Sequence, residues 1–408
     1  MRGRVRVAVT GLGVRTPAGN DLRTFWGTLV DGRSTARAIT SFDAGGLPVG
    51  FACQVPAFDV SPYVSGKQAR RMDRATLLAV FAALDALADA GGPHVPPERR
   101  AVVTGTALSG TETTEATLLG HAEPGDARPT ALYIPRTMPN AAAAFVSMRH
   151  RILGPSLTVS TACASGGHTI GEGLRLLRDG SADLVVAGGT EACVTPTILL
   201  AFHRCGALSQ RTAEPERASR PFDAARDGFV LAEGAAFVVL ERLDDAVRRG
   251  ARVYAELAGY GRTSDAHHLT MPDPKGEGAE RCVRQALDDA GLRPEEVAHV
   301  NAHGSGTPLN DVTEAQVIAR LFGPGQVPVT STKSVLGHAI GAAGAIEAVA
   351  GVLTVHERLV HPTINLDVLD PECEIDVVRR PRPLGPGAVV SNSFAFGGHN
   401  ASLVFASV

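Results

Sequence analysis

Short runs of β-branched and other apolar residues alternate along this chain with longer segments that are rich in alanine and leucine. Short apolar runs bounded by polar or glycine positions are typical of buried strands, and longer segments with helical periodicity are typical of helices. The pattern predicts strands at residues 4–10, 101–104, 156–160, 183–187, 237–240, 253–259, 298–302, 328–330, 388–392 and 402–405. It predicts helices at residues 75–90, 168–179, 276–290, 312–321 and 340–355, the fourth beginning at a capping box of Asp311 and Glu314.

Strands and helices that alternate in this way form βαβ units, so we expect an α/β fold with a mostly parallel sheet and helices on both faces. The two halves of the chain also resemble each other. The segment VSTAC at residues 159–163 leads from a strand to a Gly-His pair at 167–168, and TSTKS at 330–334 leads to another at 337–338. These similarities indicate an internal duplication whose strand-end loops converge, with a chance likeness of two glycine-rich turns as the alternative.

Length and composition favour two large halves. The 408 residues are 44% hydrophobic and 20% charged, which allows a large buried core and argues against a disordered chain. We expect an N-terminal half at residues 1–250 and a C-terminal half at 251–408. Lys and Arg number 39 against 42 Asp and Glu, so no global basic excess indicates a nucleic acid partner.

A cytoplasmic protein without a membrane segment is expected. The N-terminal apolar run is too short for a signal peptide, and the most apolar long segment, residues 339–355, is glycine-rich and interrupted by Glu347. The six cysteines include no C-x-x-C pair, so reduced thiols are expected and a zinc site is poorly supported.

One cysteine differs from the others in its predicted surroundings. Cys163 lies in the small-residue sequence STACASGG, directly after a predicted strand and before a predicted helix. The N-terminus of a helix offers N–H groups and a positive dipole end, which favour the nucleophilic thiolate. Cys163 is therefore a candidate nucleophile, and the other five cysteines are expected to fill apolar space.

Two histidines could serve this nucleophile. His303 lies in NAHGSGTP at the end of a predicted strand, where open α/β sheets bind ligands, and His338 lies in KSVLGH after the next strand. An isolated histidine is most often structural, but two on neighbouring strand-end loops, with a thiol on the matching loop of the other half, favour a catalytic set. A zinc site is the weaker alternative, because no fourth soft ligand lies at metal spacing.

Four motifs, in this order and spacing, resemble those of the β-ketoacyl-acyl-carrier-protein synthases. They are STACASG, NAHGSGTPLND, STKSVLGHAIGAAGA and NSFAFGGHN. The chain is most similar to the elongating Cys-His-His enzymes of type II fatty acid and polyketide synthesis, and the resemblance covers nearly its whole length. It implies a thiolase-like fold, with two duplicated βαβ halves in five αβαβα layers, and a dimer.

The resemblance implies a role for each residue of the candidate set. Cys163 would accept the acyl group from a phosphopantetheine thioester, and malonyl-carrier protein would lose carbon dioxide to give an enolate that attacks the Cys163 thioester. His303 and His338 would stabilise that enolate as neutral N–H donors. Lys333, with Glu347 as its counter-charge, would fix the electrostatics around His338.

The same resemblance assigns binding and gating positions. The backbone N–H groups of the nucleophile and of Phe396 would form the oxyanion hole, and Ser305 and Thr307 would bind the pantetheine arm. Phe396 and Ala395 match the gate of the acyl pocket. Ala395 replaces a glycine and lacks its freedom at positive φ, and His399 replaces a small polar residue, so gating and chain-length preference are in question.

The implied partner is an acidic acyl carrier protein, and no bound cofactor or metal is expected. Lys67, Arg70, Arg71 and Arg128 match positions at which the family presents cations to the carrier, with a solvated arginine face as the alternative. The chain would form a homodimer, or a heterodimer with a chain-length-factor subunit.

Other functions compete with this interpretation. A non-catalytic chain-length-factor-like subunit would lack the cysteine, a thiolase would need a second cysteine in the C-terminal loop, and Cys-His-Asn synthases lack the second histidine. A nucleotide-dependent oxidoreductase would depend on Gly11 and Gly13, but the rest of that fingerprint is missing, so a tight strand-to-helix turn is expected there. Residues 25–26, 37–43 and 70–75 favour a type II polyketide or polyene pathway, whereas residues 202–211 favour housekeeping fatty acid elongation.

Overall fold

The computed structural model describes residues 4–61, 63–120 and 130–408. The strands of its main sheet are mostly buried, which explains why the sequence marks them by apolar runs rather than by strict alternation. In chain order the strands are β1 (Val7–Arg15), β2 (Arg37–Ala38), β3 (Phe51–Ala52), β4 (Arg100–Gly105), β5 (Ser156–Val159), β6 (Leu184–Glu191), β7 (Gly234–Arg242), β8 (Ala255–Ser264), β9 (Val297–Asn301), β10 (Pro328–Thr330), β11 (Leu359–Val360), β12 (Asp376–Val377), β13 (Arg382–Pro383), β14 (Ala388–Ala395) and β15 (His399–Ala406).

The five predicted helices are present as α3, α7, α10, α11 and α13, with ends within four residues of the predicted positions, and the other described helices were not predicted. The longest, α3, is rich in alanine and leucine and begins after Asp73, whose carboxylate accepts a hydrogen bond from the Ala75 N–H. In chain order the helices are α1 (Leu22–Val30), α2 (Gly66–Ala69), α3 (Arg74–Asp89), α4 (Thr111–Gly120), α5 (Tyr133–Thr137), α6 (Ala141–His150), α7 (Ser165–Arg178), α8 (Pro196–Arg204), α9 (Leu243–Arg248), α10 (Glu277–Ala290), α11 (Pro308–Phe322), α12 (Lys333–Leu336) and α13 (Ala343–Glu357). Short 3₁₀ turns lie at Pro97–Arg99, Pro215–Arg217, Pro294–Glu296, Ile340–Ala342 and Phe396–Gly398.

Eleven of the described strands form one sheet, and its two halves repeat the same strand order. From the centre outward the first half reads β1, β7, β6, β4, β5, and the second reads β8, β15, β14, β9, β10, with β12 at the far edge. In each half, the strand that comes first along the chain lies at the centre of the sheet and pairs with the strand that comes last along the chain. The repeated order confirms the predicted duplication, and the halves join where β1 pairs with β8 at Ala8 and Val9.

The pairing directions differ from the predicted, mostly parallel sheet. Strands β4, β5 and β6 are parallel, as are β9, β10, β12 and β14. The central strands β1, β7, β8 and β15 are antiparallel to their neighbours. Strands β14 and β15 show the reason, because only the turn Phe396–Gly398 joins them and a parallel pair needs a long crossover.

Helices α7 and α13 form a layer between the two halves of the sheet. Helix α7 packs on β4 and β6, α13 packs on β7 and β14, and the two helices contact each other. Helix α3 covers the outer face of the first half and α10 that of the second. The expected α/β fold with five αβαβα layers is therefore confirmed.

The segment Ile340–Glu357, which contains α13, is long and apolar enough for a membrane span, and nothing else in the described ranges is. However, 89% of its apolar window is buried inside the protein. It is a core helix.

The glycines of the N-terminal motif lie inside a strand and not in a turn. Gly11 and Gly13 are interior residues of β1, so the predicted strand-to-helix turn is wrong. A Cβ at Gly11 would lie 2.1 Å from the carbonyl oxygen of Ala86, and one at Gly13 would lie 2.0 Å from that of Ala82. These glycines are required because helix α3 packs directly on the backbone of β1.

The contact between α7 and α13 is made equally close by glycine. A Cβ at Gly166 would lie 2.4 Å from the backbone nitrogen of Ala345. We expect Gly166→Ala to lower the free energy of unfolding by about 1–3 kcal/mol or more, because the helices must separate to admit the methyl group. Gly27→Ala is the control: Gly27 lies on α1 with open space around it, so alanine should stabilise the protein by about 0.5–1 kcal/mol. Urea unfolding of both variants would test this, and equal stabilities would contradict it.

Candidate active site

A cavity of about 680 Å³ brings together residues from both halves of the fold. Cys163, which follows β5, lines it together with His303, which follows β9, and His338, which follows α12. The exposed residues Met271 and Leu309 lie at its mouth. The thiol and the two imidazoles that the sequence singled out therefore share one cavity.

A tight turn places Cys163 between β5 and α7. Ala162, just before it, has φ +48°, an uncommon conformation for a residue with a Cβ. The carbonyl oxygen of Ala162 accepts from the N–H of Ser165 (3.1 Å) and from the Ser165 hydroxyl (2.7 Å), and that hydroxyl accepts from the N–H of Thr161 (2.9 Å). These bonds hold the strained backbone that directs the thiol into the cavity.

The resting form of Cys163 is the thiol. Burial raises the pKa of the Cys163 thiol to about 11, although the positive charge of Lys333 and the N–H groups of Phe396 and Cys163 itself act in the opposite direction. The start of α7 was expected to favour the thiolate, and the N–H group of Cys163 acts in that direction, but burial has the larger effect on the pKa of the thiol. Both N–H groups expected to form the oxyanion hole are directed at the sulfur.

The two histidines are neutral in the resting site. Their ring centroids are 5.3 Å apart, with the ring planes nearly perpendicular. Burial, assisted by the positive charge of Lys333, holds the pKa values of His303 and His338 well below their usual value. Each ring can therefore donate one N–H to an oxygen in the cavity without carrying a charge.

A buried ion pair lies beside His303. The Lys333 ammonium donates to a carboxylate oxygen of Glu347, to the carbonyl oxygen of His303 (2.6 Å) and to His303 Nδ1 (3.3 Å). An ammonium only donates, so Nδ1 accepts and the proton of the ring lies on Nε2. Lys333 was expected to fix the electrostatics around His338 with Glu347 as its counter-charge. It pairs with Glu347 and lowers the pKa of His338, and the histidine that it contacts directly is His303.

A second buried carboxylate, which the sequence analysis missed, orients the backbone of His303. Glu314 on α11 accepts from the N–H groups of His303 and Gly304, both at 2.8 Å, and burial raises its pKa to about 7. The predicted capping box of Asp311 and Glu314 is wrong, because α11 begins at Pro308, directly after Thr307. Asp311 and Glu314 are both fully buried in the first turns of this helix, which the sequence alone does not show.

The residues expected to bind pantetheine and to gate the pocket also lie around the cavity. Ser305 and Thr307 line it, with their hydroxyl oxygens 2.9 Å apart. Phe396 is partly exposed in its wall. Ala395 has φ −132°, an extended conformation open to any residue, so the expected conformational penalty of alanine there is absent from this structure. His399 does not line the cavity.

The residues expected to dock a carrier protein lie on α2 and at its C-terminal end. Lys67, Arg70 and Arg71 are exposed, and a capping box of Ser65 and Gln68 fixes the start of this short helix. Arg128 lies outside the described residues.

Comparison with known proteins gives consistent matches along the whole chain. Residues 4–246 match the family model for the beta-ketoacyl synthase N-terminal domain, and residues 254–367 match that for the C-terminal domain. The 3-oxoacyl-(acyl-carrier-protein) synthase 2 of Synechocystis sp. is 42% identical over 405 residues, which cover 98% of this chain and 97% of that protein.

Two solved structures are similar in both fold and sequence. The ishigamide ketosynthase/chain length factor superimposes with a TM-score of 0.91 at 36% identity and covers 100% of both chains. A type II polyketide synthase acyl-carrier protein in complex with its ketosynthase bound to the hexaketide gives a TM-score of 0.90 at 32% identity, covering 99% of this chain and 100% of that one.

The buried ion pair leads to a test of its contribution to stability. Lys333→Met leaves the Glu347 carboxylate buried without its counter-charge, so we expect a loss of about 3–5 kcal/mol in the free energy of unfolding. The double variant Lys333→Met/Glu347→Leu removes both charges and should recover most of that loss. Urea unfolding of the two variants would measure the difference. A double variant as unstable as the single one would show that the loss does not come from the unpaired carboxylate.

Proposed function

The chain belongs to the β-ketoacyl synthase family, and we propose that Cys163, His303 and His338 carry out its decarboxylative condensation. The protein is an acyltransferase that forms carbon–carbon bonds, a β-ketoacyl-acyl-carrier-protein synthase. The observation that supports the proposed roles is the convergence of one thiol and two neutral imidazoles on a single cavity.

The first step transfers an acyl group to Cys163. The sulfur attacks the thioester carbonyl of the acyl-carrier protein, and the negative charge on that oxygen is held by the N–H groups of Cys163 and Phe396. The carbon–sulfur bond to pantetheine breaks, and the pantetheine thiol takes the proton that leaves Cys163. The products are an acyl-Cys163 thioester and the free thiol of the carrier.

The second step breaks a carbon–carbon bond in malonyl-carrier protein. The malonyl carboxylate leaves as carbon dioxide, and its bonding electrons form an enolate on the remaining thioester. The Nε2–H of His303 and an N–H of His338 donate to the enolate oxygen. Neutral donors that are already oriented in a dry cavity stabilise such an oxygen without the reorganisation that water would need.

The third step joins the two carbon chains. The enolate carbon attacks the acyl-Cys163 carbonyl, and the carbon–sulfur bond breaks to release β-ketoacyl-carrier protein. The released thiolate takes one proton from solvent. Because burial raises the pKa of the Cys163 thiol to about 11, the thiol form returns readily between turnovers.

Carrier docking is proposed at the exposed cations Lys67, Arg70 and Arg71, together with Arg128. Lys67, Arg70 and Arg71 lie on or beside α2, and exposed cations favour encounter with an acidic partner. Mutual attraction would bring the acidic carrier to this face, from which its pantetheine arm enters the cavity past Ser305 and Thr307. The three steps use only protein groups and substrates, so we propose that no bound cofactor is required. We also propose that the reaction takes place in the cytoplasm.

A second subunit is proposed to cover the outer edge of the first half. Strand β5 ends the sheet among the described strands, and exposed apolar residues surround it: Leu118, Leu119, Ile134, Met148, Leu153 and Leu157. An apolar face at an open strand edge is typical of a subunit interface. This apolar face would be occupied by a second copy of the chain or by a chain-length-factor subunit, as in the ishigamide ketosynthase/chain length factor.

A type II polyketide or polyene pathway is the proposed setting. Four phenylalanines, Phe202, Phe229, Phe394 and Phe396, line the cavity and offer aromatic faces to a flat, conjugated acyl chain. Similarity to a type II polyketide ketosynthase and to the ishigamide ketosynthase/chain length factor supports this setting. Housekeeping fatty acid elongation is the second candidate, and the 42% identity to the Synechocystis 3-oxoacyl synthase favours it.

The assigned roles are tested by separating the two half-reactions. On incubation with acyl-carrier protein, the peptide containing Cys163 should gain the acyl mass, and Cys163→Ala should abolish both this gain and condensation. His303→Ala should retain acylation but lose about a hundredfold in malonyl decarboxylation, because one enolate donor is removed. Cys282→Ala, at a buried cysteine on α10 outside the cavity, is the control. Acylation at another residue, or equal loss of both half-reactions in His303→Ala, would contradict the scheme.

The pathway is tested by a matched pair of substrates. We expect kcat/KM for 2,4-hexadienoyl-carrier protein to exceed that for hexanoyl-carrier protein by about fivefold, because stacking on aromatic rings favours the flat diene. The two acyl groups have the same number of carbons, so chain length does not contribute to the ratio. A preference for hexanoyl-carrier protein would favour fatty acid elongation instead.

A further inference from the structure

The turn that follows His338 holds a strained residue against the cavity. Ile340 has φ +45°, a conformation that is a genuine outlier for a β-branched residue. Its side chain is 3% exposed and lines the same cavity as Cys163. Strained residues that persist in a folded protein are held by their surroundings and cluster at functional sites.

One buried carboxylate holds this turn. Glu191, at the end of β6, accepts from the N–H of Gly341 at 3.1 Å. A Cβ at Gly341 would lie 2.5 Å from the backbone nitrogen of Ala107 and 2.6 Å from a carboxylate oxygen of Glu191. The backbone after Ile340 is therefore fixed by a hydrogen bond and by close packing, so a backbone movement that carries Ile340 away from the cavity must break both.

The same carboxylate holds a second part of the cavity wall. Glu191 also accepts from the N–H groups of Ala107 (2.8 Å) and Leu108 (3.1 Å), and from the Thr106 hydroxyl (3.1 Å). Ala107 and Leu108 line the cavity. Glu191 thus connects a wall from the N-terminal half with Ile340 from the C-terminal half.

Ile340 lies in the buried part of the cavity that Cys163 also lines. Met271 and Leu309 at the mouth are 44% and 59% exposed, whereas Ile340 is almost fully buried. A Cβ at Gly189 would lie 2.8 Å from the carbonyl oxygen of Gly341 and 3.2 Å from the Cα of Gly166. The turn after Ile340 therefore packs against the first turn of α7, the helix that begins beside Cys163.

Building on the condensation proposed above, we propose that Ile340 determines which acyl groups Cys163 accepts, by excluding those branched at the carbon next to the thioester. Glu191 is the positioning residue that keeps Ile340 and the wall at Ala107 and Leu108 at a fixed separation. Because the backbone at Ile340 is strained and the next residue is anchored, this turn cannot easily move aside for a branch, whereas an unbranched segment passes beside it. The substrate class is therefore acyl thioesters that are unbranched at the carbon next to the thioester.

The test compares two isomeric acyl groups, hexanoyl and 2-ethylbutanoyl, each loaded on the carrier protein. Ile340→Gly removes the side chain, and glycine adopts positive φ without strain, so the variant should fold. We expect the ratio of kcat/KM for 2-ethylbutanoyl to that for hexanoyl to rise about tenfold, the size of effect that small changes of bulk produce in an apolar pocket. Arg151→Gly is the matched control, because Arg151 is exposed at the end of α6 with φ +49°; it should leave the ratio unchanged.

A second variant tests the positioning role. Glu191→Gln keeps the shape but replaces one acceptor oxygen with a donor NH₂ group that faces backbone N–H groups. Glu191→Gln should raise the ratio of kcat/KM for 2-ethylbutanoyl to that for hexanoyl. Adding it to Ile340→Gly should raise this ratio little further, because both substitutions act on the same cavity wall. Two outcomes would overturn the inference, provided that hexanoyl is still transferred to Cys163 in Ile340→Gly. One is an unchanged ratio in this variant, and the other is a change only in the preferred chain length. Failure of the unsubstituted protein to condense hexanoyl would instead refute the proposed function.

Discussion

The close contact between helices α7 and α13 sets the geometry on which the site depends. Cys163 lies just before α7, and His338 lies just before the turn that leads into α13. Gly166 and Gly344 allow the backbones of these helices to touch, since a Cβ at either position would lie within 2.6 Å of the other helix. The separation of the sulfur from the His338 imidazole is therefore fixed by two packed backbones, which are far more rigid than side chains that meet across a loop.

The electrostatics of the cavity follow from burial and from one buried cation. Burial raises the pKa of the Cys163 thiol and lowers the pKa values of His303 and His338, so all three groups are uncharged before substrate enters. The charge of Lys333, which is paired with Glu347 in the interior, adds to this effect on the two histidines and opposes it on the thiol. Charge appears only as the thioester oxygens become anionic, and the donors are already in place for it.

The sequence predicted those features that local chemistry determines. Apolar runs located the strands of the main sheet, and small residues between a strand and a helix located Cys163. The features that the sequence analysis did not predict depend on packing between distant parts of the chain. Nothing near Gly11 reveals that α3 will pack on it, and nothing near Glu314 reveals that it binds the backbone of His303. The contact of Lys333 with His303 likewise arises between separate loops that meet only in the folded chain.

Two residues of the C-terminal loop, Ala395 and His399, differ from the family pattern. They change side chains without occupying backbone conformations that require glycine. Ala395 lies in the last position of β14 with an extended backbone, where glycine has no advantage. The positive φ values fall on Gly397 (+81°) and Gly398 (+71°), both still glycine, so the turn keeps the residues that its conformation needs. A Cβ at Gly397 would lie 3.0 Å from the His399 ring, which therefore packs against the turn. The effect of the departures on this loop must therefore come from the Ala395 methyl group and the His399 ring, because the backbone requirements of the turn are met in full.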